Sequence, residues 1–282
     1  MNRRRFFATA TAAVAGLGLG GTCYSFFEAG WVRIDRRTLA VPRLPTAFHG
    51  TTVAFLTDLH HGPYVDLQYI ANVVRTTNLL RPDLILLGGD YSLRDAKYIA
   101  PCLAMLGELR APMGVAGVLG NHDYWHGLAE TRRGLRAAKI RELTNDGFWL
   151  ERRGDRLRIG GVDDLWEGRP DLSAALGGAT RDDACVLVSH NPDFAETMPE
   201  CPVGLVLSGH THGGQLLFPV VGAPWIPSRY GPKYLHGLVQ APRTRVFVSR
   251  GLGVAAVPAR FGSRPEIHLL TLTGDVASVV ES

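Results

Sequence analysis

Cysteine is scarce in this chain, and none of the four stands in a C-x-x-C pair or at the spacing of a thiolate metal site. Zinc ribbons and thioredoxin-type redox motifs are thereby excluded, and Cys23, Cys102, Cys185 and Cys201 read as buried free thiols. Lysine is nearly absent as well. Lys97, Lys139 and Lys233 are the only lysines among 30 basic residues, so arginine carries almost all the positive charge behind the net +4. Arginine suits bidentate contact with phosphate. No arginine–aromatic stripe marks a nucleic-acid track, however, and no nucleic-acid partner is expected. Internal repeats, low-complexity linkers and charge runs are also missing, so nothing divides the body of the chain. Its 282 residues are long for one domain, but a large α/β sheet reaches that length undivided.

What the chain does have is a recurring strand ending. The run "LVLSGHTHGGQL" carries an apolar strand into Gly209, His210, Thr211 and His212. Two imidazoles one residue apart can point at neighbouring places, and glycines let the backbone come close without a Cβ clash. A single H-x-H is equally well a turn with local hydrogen bonds. Yet "TVAFLTDLHHG" delivers Asp58, His60 and His61, "DLILLGGDY" delivers Asp90, "GVAGVLGNHDYW" delivers Asn121, His122 and Asp123, and "ACVLVSHNPD" delivers His190. Five buried-strand patterns thus release Asp, His or Asn into a loop, where ligands of open α/β sheets bind. Carboxylate, imidazole and amide oxygen without thiolate are the donors of a borderline divalent metal.

Asp58-x-His60, Gly89-Asp90, Gly120-Asn121-His122-Asp123, His190 and Gly209-His210-x-His212 together resemble the five-block signature of calcineurin-like metallophosphoesterases. "SHNPD", "SGHTHGGQ" and "VSRGLG" look more narrowly like the exported or membrane-anchored bacterial phosphodiesterases of that superfamily. The resemblance implies two divalent ions (manganese, iron or zinc), with Asp90 bridging them. It assigns Asp58, His60 and His212 to one ion, and Asn121, His190 and His210 to the other. His61 is extra to the signature. Two ions about 3.5–4 Å apart can clamp a phosphoryl group, generate a hydroxide at neutral pH and offset charge on the leaving oxygen. His122 is no ligand in the pattern and is free to protonate the leaving group. Asp123 is expected to hold the His122 ring in one tautomer, the alternative being a turn-stabilising aspartate.

Helical patterns at Leu67–Leu80, Pro101–Leu109 and Leu128–Ala138 alternate with apolar strands and argue for βα units in the first half. Pro101 suits the first turn of its helix. Beyond Lys139 short alternating strands take over, and Asn-Asp-Gly and Gly-Asp read as hairpin turns. "RVFVSRGLG" and "EIHLLTLTGDVASVV" again read as strands. The resemblance implies an α/β fold, a four-layer α/β/β/α sandwich of two mixed sheets with flanking helices.

The N-terminus is of another kind. "NRRRFFATATAAVAGLGLGG" puts an arginine run before a weakly apolar stretch, and no charge falls between Phe6 and Phe27. That looks like a twin-arginine export signal, long enough to span a bilayer and lacking a clear cleavage site. Residues 1–30 are accordingly expected to be a signal or uncleaved membrane anchor, and 31–282 the catalytic domain. The domain then faces the periplasm or the outer face of the cytoplasmic membrane, with the twin-arginine machinery as a partner. His49, His126, His236 and His268 are set aside as turn, surface or core histidines, with His126 the first candidate for an exception because it follows "GNHDYW". Arg250, Arg260 and Arg264 follow "VFVS" in loops near the site, and are read as surface arginines. The expected function is hydrolysis of a phosphodiester or pyrophosphate in an envelope or lipid-linked substrate. Alternatives are hydrolysis of UDP-2,3-diacylglucosamine in lipid A synthesis, and a non-catalytic envelope-binding module.

Overall fold

A computed structural model describes residues 21–275; the arginine run and most of the uncharged stretch lie outside the described residues. Twelve strands are formed there: β1 Arg33–Ala40, β2 Thr52–Leu56, β3 Leu84–Leu87, β4 Val115–Gly117, β5 Arg141–Glu142, β6 Asp146–Arg152, β7 Asp155–Gly161, β8 Ala184–Val188, β9 Val203–Ser208, β10 Gly237–Gln240, β11 Arg245–Val248 and β12 Glu266–Thr273. They build two six-stranded sheets, ordered β1-β12-β2-β3-β4-β5 and β10-β11-β9-β8-β7-β6. Strands β2 to β5 are parallel, as are β7, β8, β9 and β11. Antiparallel pairs at β12·β2, β10·β11 and β6·β7 make both sheets mixed, as expected.

The central strands are apolar throughout because both of their faces are buried. Leu84 and Leu86 of β3 turn inward, into the core that Leu205 and Leu207 of β9 also enter. Ile85 and Leu87 turn outward, against helices. Each such aliphatic side chain contributes about 1.5–3 kcal/mol when fully buried.

Helices α2 Leu67–Leu79, α3 Ile99–Leu106 and α4 Asn121–Ala137 cover the first sheet. Asp66 caps α2, its carboxylate accepting from Tyr69 N at 2.7 Å. Pro101 falls in the first turn of α3, where its missing N–H is harmless. Helix α4 starts seven residues before the expected Leu128, because a break at Gly127 (φ 151°) divides it. Only the portion beyond that break has the regular apolar stripe. The other outer layer is thin: α5 Leu172–Leu176, α6 Phe194–Thr197 and a turn at Gly231–Tyr234 cover the second sheet.

Gly-Asp is a hairpin turn as expected. Arg153 and Gly154 both take positive φ (55° and 85°) between the paired Arg152 and Asp155. Asn-Asp-Gly is not. It carries the chain from β5 in one sheet to β6 in the other, so a crossing of the sandwich replaces the expected hairpin.

The first described helix, α1, spans residues 21–30 and packs on the domain. Glu28 is buried, and its carboxylate accepts from Gly262 N and Ser263 N at 3.1 and 2.8 Å. Ser25 O accepts from Arg260 N at 2.9 Å. The expected boundary at residue 30 thus falls within a packed region. Among the described residues no helix is long and apolar enough to cross a membrane.

Candidate metal centre

Each of the five blocks leaves the C-terminal end of a parallel strand, so the sheet topology brings them together. Strands β2, β3 and β4 deliver Asp58 with His60, Asp90, and Asn121 with His122; β8 and β9 deliver His190 and the pair His210, His212. Five of the seven expected ligands sit in the left-handed region: Asp58 (φ 53°), His60 (49°), Asp90 (57°), His210 (70°) and His212 (54°). Such backbone costs about 1–3 kcal/mol per non-glycine residue and persists only where its surroundings enforce it. Here they do: Asp58 N donates to Gly89 O, His60 N to Asp90 O, and His210 N to the Asp58 carboxylate, all at 3.0 Å. Two glycines are sterically required. A Cβ on Gly209 would lie 2.2 Å from Asp58 Oδ2, and one on Gly120 would lie 2.3 Å from Asp90 Oδ1.

The donors fall into two groups. In the first, His60 Nε2 and His212 Nε2 are 3.0 Å apart, with Asp58 Oδ1 3.4 Å from His212. In the second, His190 Nε2 lies 3.2 Å from both Asn121 Oδ1 and His210 Nδ1. Asp90 Oδ2 stands between them, 3.6 Å from His60 Nε2 and 3.3 Å from His190 Nε2.

This donor set fits divalent cations. Burial holds His60 down to about 3, and His210 and His212 well below the usual imidazole range, so their lone pairs are free of protons. Only one N–H at most can lie between the facing nitrogens of His60 and His212. His190 Nδ1 donates to Gly88 O at 2.7 Å, an outer hydrogen bond of the kind that aims the other nitrogen at a metal. Burial would depress His190, but the charge and hydrogen bond of Asp90, with Asp58 and Asp164, lift it to about 10. Asp90 is the reciprocal case. Burial opposes its charge, yet His190, His122 and His60 hold it well below the carboxylate range. Burial and the charge of Asp90 push Asp58 up to about 6.

His122 lies against this cluster and forms a third group of potential donors with His60 and Asp90. Its backbone N donates to Asp90 Oδ1 at 2.9 Å, and its Nδ1 lies 3.1 Å from His126 Nε2. Asp123 departs from the expected role. Its carboxylate accepts from Asp90 N (2.8 Å), Tyr91 N (3.0 Å) and Gly120 N (2.9 Å), so it braces the loops under Asp90 and Asn121. As residue three of α4 it points back into that turn, and His126, one helical turn further on, meets His122 instead. Of the histidines set aside, His126 therefore joins the site.

His61 does not join it; its Nδ1 donates to Val65 O at 2.8 Å. His268 is a core histidine between Asp35 and Glu266. Two of the arginines correct the surface reading. Arg260 is wholly buried, donates to Gly253 O and Ser263 O, and lies 3.4 Å from His212 Nδ1. Arg250 is mostly buried and pairs with Glu266 at 2.6 Å.

The cluster opens into a cleft of about 310 Å³ whose rim holds Trp125, Trp166 and Trp225. Trp166 meets His210 edge-on at 4.3 Å, and Trp125 meets His122 at 4.7 Å. Sequence reasoning missed all three. A lone tryptophan gives no local sign of facing a cleft, and only "NHDYWH" put one beside a ligand block.

The geometry agrees with the comparisons. The calcineurin-like phosphoesterase family profile matches residues 51–214, the stretch holding all seven expected ligands. An uncharacterized metallophosphoesterase of Bacillus subtilis, YkuE, is 33% identical, with 96% of this chain and 98% of that protein aligned. Phosphodiesterase YaeI of Escherichia coli is also 33% identical, over 96% of this chain and 100% of its own length. A transmembrane protein with metallophosphoesterase domain from Bos taurus is 32% identical over 83% of this chain and 56% of its own. Strand-end donors, a family match across them and full-length relatives converge: the chain belongs to the calcineurin-like phosphoesterase family, and is a metal-dependent phosphoesterase.

Proposed function

We propose that the chain is a dinuclear phosphodiesterase acting on a phosphodiester or pyrophosphate of the cell envelope, including lipid-linked substrates. The observation that carries this reading is the position of Asp90 Oδ2, within 3.6 Å of one donor group and 3.3 Å of the other. A single carboxylate within reach of both sets of donors suits a shared ligand. Asp58, His60 and His212 would hold one ion, Asn121, His190 and His210 the other. When bound, two divalent ions drawn from manganese, iron and zinc would clamp the phosphoryl group and activate water. The residues of the chain orient the ester and supply the proton. His122, at the edge of the cleft, donates to the leaving oxygen; His126 fixes its ring, and Asp123 holds the Asp90 and Asn121 turns in place.

Location belongs to the same proposal. Arg3 and Arg4 ahead of an uncharged run to Phe27 suit export and anchoring outside the cytoplasm. The bovine relative, whose name calls it a transmembrane protein, is in keeping with this.

The test is a phosphoester screen on purified protein with elemental analysis. Hydrolysis of phosphodiesters should vanish on chelation and return with manganese, iron or zinc. Full activity in metal-free protein refutes the reading. For location, replacing Arg3 and Arg4 with Lys should retain the protein in the cytoplasm, and unchanged delivery refutes the export signal.

A further inference from the structure

Residues 216–227 read LLFPVVGAPWIP, twelve in succession without a charge and with the Trp225 indole N–H as their one polar side-chain group. They form a surface loop, in which Val220 is 108% exposed, Val221 79%, Trp225 64% and Phe218 41%. Isolated exposed apolar residues are ordinary, but a contiguous run marks an interaction site. The tip is a tight turn: Phe218 and Gly222 exchange backbone hydrogen bonds of 3.0 and 2.9 Å. Val220 sits there at φ 69°. Glycine or asparagine suits that conformation, and a β-branched residue is a genuine outlier in it. Turn chemistry therefore does not select valine here, and neither does packing, since the side chain points into solvent.

The loop is continuous with α1. Phe218 stacks on Phe261 at 5.4 Å, and Tyr24 of α1 meets Phe261 edge-on at 5.8 Å. A groove of about 530 Å³ between them has Gly21 and Phe26 on one side, Phe218 and Val257 on the other. Gly21, the first described residue, belongs to the stretch of sequence from Phe6 to Phe27 that carries no charge, and it lines this groove. At its far end the loop reaches the metal cleft, whose wall includes Trp225 and Pro227. Exposed Arg229 and Tyr230 follow after Ser228.

We propose that α1 and the 216–227 loop form one lipid-facing surface, which seats on a bilayer so that the metal cleft opens at headgroup level. A second protein is the poorer occupant. Protein interfaces carry about one hydrogen bond per 100–200 Å², whereas the side chains of this run offer a single donor, the Trp225 indole N–H, and its three prolines lack even the backbone N–H. An apolar wedge rimmed by Trp, Tyr and Arg is the pattern of a membrane–water boundary. The surface is independent of the hydrolytic reading, and its test reads no turnover.

The full chain is bound to phosphatidylethanolamine–phosphatidylglycerol vesicles in which part of the lipid is brominated on its acyl chains, and tryptophan emission is recorded. Emission should shift to the blue and be quenched, and Trp225→Phe should remove the largest part of that quenching. Val220→Asp/Val221→Asp keeps the N-terminal run and the fold, yet should reduce the quenching of Trp225 severalfold. Equal quenching in the wild type and Trp225→Phe overturns the proposal, as does emission that ignores vesicles. A blue shift that grows with protein concentration without lipid overturns it in favour of a second copy of the chain.

Discussion

The two donor groups flanking Asp90 occupy equivalent places but differ in charge. Both arise where parallel strands of the two sheets end. The first includes a carboxylate, Asp58, whereas the second has the neutral amide of Asn121 in its place. The first also has its imidazoles ready, with His60 and His212 held neutral by burial. In the second, His190 keeps a proton up to about 10 because Asp90 outweighs its burial. Similar backbone geometry thus yields unequal sites: one is preset for a cation, and the other must release a proton to accept one.

The largest effect should come from abolishing what the groups share. Asp90→Asn removes the carboxylate between them, and should strip both ions and lower phosphodiester hydrolysis on the order of a thousandfold or more. Elemental analysis with steady-state kinetics checks this. Retention of both ions would break the comparison at its root.

His122→Ala should come next. It should keep both ions yet lose on the order of 10²–10⁴ in kcat, the usual worth of a placed general acid. Nitrophenyl esters, whose leaving group needs little protonation, should lose much less. His212→Ala should lose metal and activity together for every leaving group. Equal metal loss in the two variants would move His122 among the ligands.

The inequality itself is read from pH. Binding in the second group displaces the His190 proton, so that affinity should climb about tenfold per pH unit and level off only near 10. Asp58 is ionised above about 6, so affinity in the first group should be nearly flat from there upward. Calorimetry at pH 8 in two buffers should find about one proton released by the weaker ion and almost none by the tighter one. Equal release would erase the asymmetry.

The smallest effect lies outside the site, in metal-free protein. Burial opposes the charge on His268, but the hydrogen bonds its ring donates to the Asp35 and Glu266 carboxylates raise it above its ordinary 6.5. Its stabilising contribution is full below 6.5 and is lost as pH rises through the raised value. Burial opposes the charge of Glu266 too, yet His268 and Arg250 hold it down at about 2, so its contribution fades as pH falls from 4.5 towards 2. His268→Gln should lower Tm by on the order of 2–4 °C near neutral pH and flatten the alkaline decline, as thermal melts in chelator would show.

Legibility in the sequence followed the same division. Side chains at the ends of buried parallel strands were readable because strand, glycine and ligand are adjacent in the chain. Helices α2 and α3 were readable from their apolar stripes. Asp123 was misjudged because its partners, the amides of Asp90 and Tyr91, lie more than thirty residues away. Arg260 resembled any other arginine, since burial of a guanidinium against Gly253 O and Ser263 O leaves no local periodicity. Asn-Asp-Gly had the chemistry of a hairpin, but only tertiary packing decides whether the next strand returns to the same sheet. The tryptophans of the cleft rim come from helix α4, the turn after β7 and the 216–227 loop, and nothing in the chain order unites them.

The central claim is that two ions share Asp90, and the most direct measurement is a manganese titration of metal-free protein followed by electron paramagnetic resonance. The account predicts two ions per chain. The second should convert the signal of an isolated ion into that of a spin-coupled pair, and Asp90→Asn should never show the coupled signal. Saturation at one ion in a catalytically active protein, or two ions without coupling, would contradict it.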